Sequence, residues 1–158
     1  MNTAPKFVYR TLIATTPEKL WAALTDPEFT EQYWGGTRLE SEWTEGSRIV
    51  FRWKGKIVHD DKILKSEPPR LLSYTFKPLH MEELLAEPAS RVTFEIVEFG
   101  GQSQRQGPVV QLTVTHEGFP TDSKIFPMIS QGWPDILSSM KTLLETGHAI
   151  EFAKGSAE

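Results

Sequence analysis

The chain of 158 residues contains no cysteine. Disulfide bridges, thiolate zinc sites and cysteine nucleophiles are therefore excluded. No apolar run approaches the roughly 20 residues that a membrane helix needs. Met1 to Lys6 lacks the apolar core of a secretory signal. Glycine-rich phosphate loops, nucleophile elbows and Walker lysines are also missing. Positive charge is not in excess: 17 Lys and Arg stand against 21 Asp and Glu, for a net charge of −4. Such a mildly acidic chain has no general affinity for nucleic acid phosphates or anionic lipid. The densest basic stretch is Lys54, Lys56, Lys62 and Lys65; Asp60, Asp61 and Glu67 interleave with it. It reads as a solvated strand surface. These absences lead to the expectation of a cytoplasmic protein with no nucleic acid, membrane, metal or cofactor partner.

Aromatic side chains are plentiful: five Trp, nine Phe and three Tyr. The length suits a single domain over residues 1–158, with a frayed tail from about residue 154. The dominant pattern runs from Gly132 to Gly147. Trp133, Ile136, Leu137, Met140, Leu143 and Leu144 recur at three- and four-residue spacing, the period of an amphipathic helix. Lys141 and Glu145 fall on the opposite side. Gly147 is a natural stop, because glycine enters the left-handed conformation past a helix end at little cost. Thr121-Asp122-Ser123 opens this region. Pro127 and Pro134 predict a first segment over Ser123–Gln131, a break at Gly132 and then the main helix.

Phe7 to Ala14 reads as a first strand. Thr16-Pro17-Glu18 then starts one short helix and Asp26-Pro27-Glu28 a second, running to about Tyr33. Gly35-Gly36 closes the pair. From there the period is two. Strands are predicted over Arg38–Trp43, Arg48–Trp53, Lys56–Ser66, Arg70–Lys77, Arg91–Phe99 and Val109–Glu117. Turn residues punctuate them at Glu45-Gly46-Ser47, Lys54-Gly55, Pro68-Pro69 and Gly100-Gly101. This is the pattern of an antiparallel meander. Gln102–Pro108 reads as a mobile hairpin loop, and His80–Leu85 as one or two helical turns. A sheet of about seven strands with one apolar face and a long helix with one apolar face bury each other most economically when the sheet wraps the helix. The expected fold is α+β: a curved antiparallel sheet around a long C-terminal helix, with two short helices after the first strand.

Five stretches carry a family resemblance: Thr16 to Pro27, Tyr33 to Gly36, Glu67 to Phe76, Leu112 to Phe119, and Gly132 to Glu145. Together they span nearly the whole chain. On these the sequence resembles the SRPBCC or START-like superfamily, whose fold is the helix grip. More narrowly it is similar to proteins related to the C-terminal domain of the activator of the ninety-kilodalton heat-shock-protein ATPase. The resemblance implies the fold and a shared cavity rather than one reaction. Members include lipid and hormone carriers, polyketide cyclases and proteins of unassigned activity.

Strand alternation selects the inward residues. Phe51 shares a face with Trp53, Tyr74 with Phe76, and Val92 with Phe94 and Ile96. Val110, Leu112, Val114 and His116 share another. With Trp34 from the short-helix segment and Trp133, Leu137 and Met140 from the long helix, these define the expected cavity: Trp34, Phe51, Trp53, Tyr74, Phe76, Phe94, Leu112, His116, Trp133, Leu137 and Met140. His116 is the one inward group able to orient a ligand or take a proton. His59 and Asp61 face the same way on their strand, but charged neighbours mark them as surface, and no third metal ligand is near. No catalytic residue is assigned. The first functional expectation is binding of a small apolar or aromatic molecule by a monomer or homodimer. The alternatives are a cyclase- or hydrolase-type enzyme in the same cavity, or a co-chaperone-like interaction domain.

Overall fold

The punctuation of the first forty residues works as capping chemistry. The structure, a computed structural model, describes residues 4–100 and 107–151. After β1 (Phe7–Ile13), Thr16 caps α1 (Pro17–Thr25) by accepting the Lys19 N–H at 3.2 Å. Asp26 serves both short helices. Its N–H closes α1 on the Ala22 carbonyl at 2.8 Å, and its carboxylate accepts the Glu28 N–H at 2.9 Å to open α2 (Pro27–Tyr33). Each proline stands in the first turn, where no hydrogen bond is lost.

Six strands follow: β2 (Thr37–Ser41), β3 (Arg48–Trp53), β4 (Lys56–Glu67), β5 (Leu71–Phe76), β6 (Ser90–Glu98) and β7 (Val110–Glu117). They form one seven-stranded antiparallel sheet in the order β1-β7-β6-β5-β4-β3-β2, so the first strand closes on the last. Bulges interrupt β4 where it pairs with β3 near Phe51/Arg52 and with β5 near Ile63/Lys65. Such insertions bend a strand and raise its twist, which lets the sheet curve around a helix. A short 3₁₀ turn, Glu82–Leu84, lies between β5 and β6 and meets the expected helical turns at His80–Leu85. Residues 102–106 of the expected Gln102–Pro108 loop, and the expected frayed tail, lie outside the described residues.

The helix filling the curve differs from expectation. α3 runs unbroken from Ile125 to Thr146, through Gly132 and with Pro134 in its interior. A proline inside a helix costs about 3 kcal/mol. Ile129, Trp133, Leu137 and Met140 are all buried on one stripe of this helix. Each contributes roughly 1.5–3 kcal/mol by leaving water, so continuity outweighs the lost hydrogen bond several-fold. The far end behaves as the sequence requires: Gly147 takes φ 90° and donates to the Leu143 carbonyl at 2.8 Å. Among the described residues no helix is long and apolar enough to cross a membrane.

The start of α3 is capped from a distance. Glu87 accepts the Ser123 hydroxyl at 2.7 Å and the N–H groups of Lys124 and Ile125 at 2.6 and 3.2 Å. Ser123 in turn accepts from Ile125 and Phe126. A carboxylate at the positive end of a helix satisfies otherwise unpaired donors and complements the dipole. Glu87→Ala is expected to cost about 1–2 kcal/mol, within the usual range for a lost N-cap. Hydrogen exchange at the Lys124 and Ile125 amides should accelerate, and unchanged exchange there would show that Glu87 holds nothing.

Candidate functional site

Under α3 the sheet is aromatic. Phe51, Tyr74, Phe76, Phe94, Leu112 and His116 from the strands, and Trp133, Leu137 and Met140 from the helix, are all buried. Trp34, the C-terminal cap of α2, enters from the side and is half-buried. Its ring stands edge-on to Trp133 at 5.3 Å between centroids and to Phe51 at 5.5 Å. Phe94 meets Trp133 at 5.8 Å and Phe51 meets Tyr74 at 6.0 Å, both near perpendicular. These are the edge-to-face arrangements that the ring quadrupole favours. Gly35 and Gly36 follow Trp34 at φ 59° and 83°, a left-handed turn that glycine makes without strain.

Trp53 is the exception among the expected cavity residues. It ends β3 at the rim and is only half-buried, with its indole N–H donating to the Gly35 carbonyl at 3.0 Å. The Lys54 ammonium sits 4.7 Å above its ring. The strand stops before the alternation can carry this ring inside, so Trp53 braces the glycine turn from without.

His116 is inward, as the alternation requires, and has no exposed surface. Its Nδ1 accepts the Trp133 indole N–H at 2.9 Å, which forces the proton onto Nε2. Nε2–H donates to Ser90 Oγ at 2.7 Å, and the Ser90 hydroxyl donates onward to the Phe76 carbonyl at 3.1 Å. Every group in this chain has one direction available to it. Protonating Nδ1 would set two N–H groups face to face. Burial, reinforced by the nearby His59, lowers the His116 pKa from its ordinary 6.5 to about 3. His116 is therefore a neutral structural strut with no free nitrogen.

The opposite correction applies to His59 and Asp61. Both are buried, at 5% and 8% exposure, rather than on the solvated surface. The charged neighbours that mark the stretch as wet, Asp60 and Lys62, have the opposite parity and do point outward. His59, Asp61 and Ile63 share the inner face. Asp61 accepts the Thr75 hydroxyl at 2.6 Å and the Lys77 N–H at 3.1 Å, and its Oδ2 lies 3.3 Å from His59 Nδ1. The His59 ring stacks on Phe51 at 4.2 Å and stands edge-on to Phe76 at 4.4 Å. Burial lowers the His59 pKa against the opposing pull of Asp61. The pair is thus a neutral imidazole donating Nδ1–H to a carboxylate. No group of three or more potential metal ligands occurs among the described residues.

Two nearly buried polar atoms of the aromatic interior, Tyr74 Oη and His59 Nε2, have no hydrogen bond among the described residues; the buried hydroxyls of Thr15, after β1, and Thr37, at the start of β2, have none either. Among the described residues no fully buried side-chain nitrogen or oxygen lacks a partner. The two interior atoms therefore border space that a water-sized sphere reaches. The Trp34 indole N–H also has no partner among the described residues. All three residues surround one ring, Phe51. Apolar walls with a few convergent polar atoms are the usual make-up of a small-molecule site. An outer cleft of about 310 Å³ between Glu83, Glu87, Pro120, Asp122 and Lys124 is a weaker candidate, because Glu87 is committed to capping α3.

Fold and interior together define a class, the helix-grip proteins of the START-like superfamily. The family model for Activator of Hsp90 ATPase homolog 1-like protein matches residues 14–145, and the chain belongs to that family. No curated protein matches it. Among solved structures, a Mesorhizobium loti protein is 27% identical with a TM-score of 0.71, over 89% of this chain and 96% of that one. The Aha1 dimer of Colwellia psychrerythraea is 22% identical with a TM-score of 0.67, over 90% and 98%. An HSP90 activator from Plasmodium falciparum is 18% identical with a TM-score of 0.68, over 88% and 95%. The last two share the fold with this chain.

Proposed function

We propose that the protein binds a small apolar or aromatic molecule between the sheet and α3, admitted beside Trp34. The observation that carries this reading is the unpartnered Tyr74 hydroxyl, set with His59 Nε2 and the Trp34 indole N–H around the Phe51 ring in an aromatic interior. Packed cores satisfy most of their polar atoms, so a cluster of unpartnered ones against apolar walls calls for a partner. Trp34 supports the reading. No hydrogen bond holds its side chain, so a flat guest can take over its contacts with Phe51 and Trp133. A hydrolase- or cyclase-type reaction is less well supported, since its one expected proton acceptor, His116, has both ring nitrogens engaged. A co-chaperone role draws on the names of two relatives and on no feature of the described surface.

A titration with 2-methylnaphthalene tests the reading. A guest that binds only the native state at ten times its Kd stabilises it by about 1.4 kcal/mol. For a chain of this size the melting temperature should rise by about 3–6 °C. Tryptophan fluorescence should change in parallel. No rise at the solubility limit of this and similar flat hydrocarbons would mean that the interior is closed.

A further inference from the structure

The sequence points to His116 as the histidine of the site, yet the geometry reverses that choice. His116 has no free nitrogen, whereas His59 has one. We propose that His59, oriented by Asp61, is the hydrogen-bond acceptor that selects hydroxyl-bearing guests within the aromatic interior. This rests on the binding reading above and adds the chemistry of the guest.

Three observations converge. Asp61 takes His59 Nδ1–H, which fixes the tautomer and leaves Nε2 as a bare lone pair. Asp61 is itself held by the Thr75 hydroxyl and the Lys77 N–H, and the Lys62 N–H secures Thr75 at 3.1 Å. The imidazole cannot swing, because Phe51 covers one face and Phe76 meets it edge-on. The result is a rigid acceptor at the end of an apolar wall. It borders reachable space, and no donor among the described residues satisfies it. A carboxylate behind the ring makes Nε2 a stronger acceptor. A hydrocarbon placed there leaves the lone pair unpaired, and a guest O–H group pairs it. Asp61 is the positioning residue and does not touch the guest.

The matched probes 2-naphthol and 2-methylnaphthalene differ only in the group offered to Nε2. A hydrogen bond between neutral partners favours the naphthol by about threefold to tenfold in Kd. His59→Phe keeps a flat ring and removes the acceptor. Whatever it does to both affinities, the ratio should fall to near one. In the wild-type protein the His59 Nε2 ¹⁵N resonance should move with 2-naphthol and stay with 2-methylnaphthalene, a readout that needs no variant to fold. Equal affinities in the wild type, a preference that survives His59→Phe, or an unmoved Nε2 resonance would overturn the assignment and leave the binding site standing. If neither probe binds, the binding reading fails, and this assignment falls with it.

Discussion

Trp133→Ala is expected to leave little folded protein. Truncating a buried tryptophan costs about 3–5 kcal/mol through lost burial and the cavity left behind. The same change removes the donor to His116 Nδ1, and an orphaned buried acceptor costs about 1–3 kcal/mol more. The total approaches the whole stability of an ordinary domain, about 5–15 kcal/mol. Urea denaturation followed by circular dichroism measures it. Trp133→Phe keeps one ring against Trp34, Phe76 and Phe94 while removing the N–H and the smaller part of the indole volume. It should cost the orphan penalty plus a cavity cost smaller than alanine's, and it should raise the His116 pKa, because Nδ1 then has no N–H opposing a proton. A Trp133→Ala protein within about 1 kcal/mol of wild type would mean that this indole is not packed, contrary to the cavity rule.

Mild acid should destabilise the protein well before its carboxylates titrate. His116 is neutral when folded, with its pKa lowered from 6.5 to about 3 by burial. Above about pH 6.5 neither state carries the proton, and the effect vanishes. Below it the unfolded chain binds a proton that the folded chain refuses, so stability falls by about 1.4 kcal/mol per pH unit. Between pH 8 and pH 5 His116 alone should cost about 2 kcal/mol. His59, lowered by burial, adds loss of the same sign. The carboxyl of Asp60, held low first by its hydrogen bond to Arg48, stays ionised throughout that window. Urea midpoints across pH 5–8 check the slope. His116→Gln removes one titrating group and should flatten the profile. A stability independent of pH over this range would contradict a buried neutral His116.

The fold was legible because its signals are local and repeated. Thr16 and Asp26 with their following prolines mark two helix starts, and both act as the caps they resemble. Alternation along β6 and β7 placed Val92, Phe94, Leu112 and His116 inside. Pro134 misled, because a proline rule prices one backbone bond and takes no account of an apolar stripe continuing on both sides of it. Trp53 misled because alternation does not show where a strand reaches the rim.

The walls of the candidate site follow from strand alternation, and its polar atoms do not. His59 and Asp61 lie among Asp60, Lys62 and Lys65, and charge density concealed parity. Ile63 shares their face and is a signal for the inner side. Val58 and Leu64, apolar on the other parity, blur it. The partners of His116, Ser90 and Trp133, and those of Asp61 behind His59, Thr75 and Lys77, lie 14 to 26 residues from the groups they hold. Such pairings arise from strand register and helix docking, which no short window of sequence contains.

The central claim is that the aromatic interior opens at Trp34 to a flat guest. The most direct test is the indole N–H spectrum of the five tryptophans during a titration with 2-methylnaphthalene. The Trp34 resonance should move most. The Trp133 resonance should follow through their shared contact, and that of Trp53, bonded to the Gly35 carbonyl outside the core, should stay nearly fixed. Saturable binding that moves Trp53 and leaves Trp34 and Trp133 in place would put the guest on the outer surface and contradict the claim.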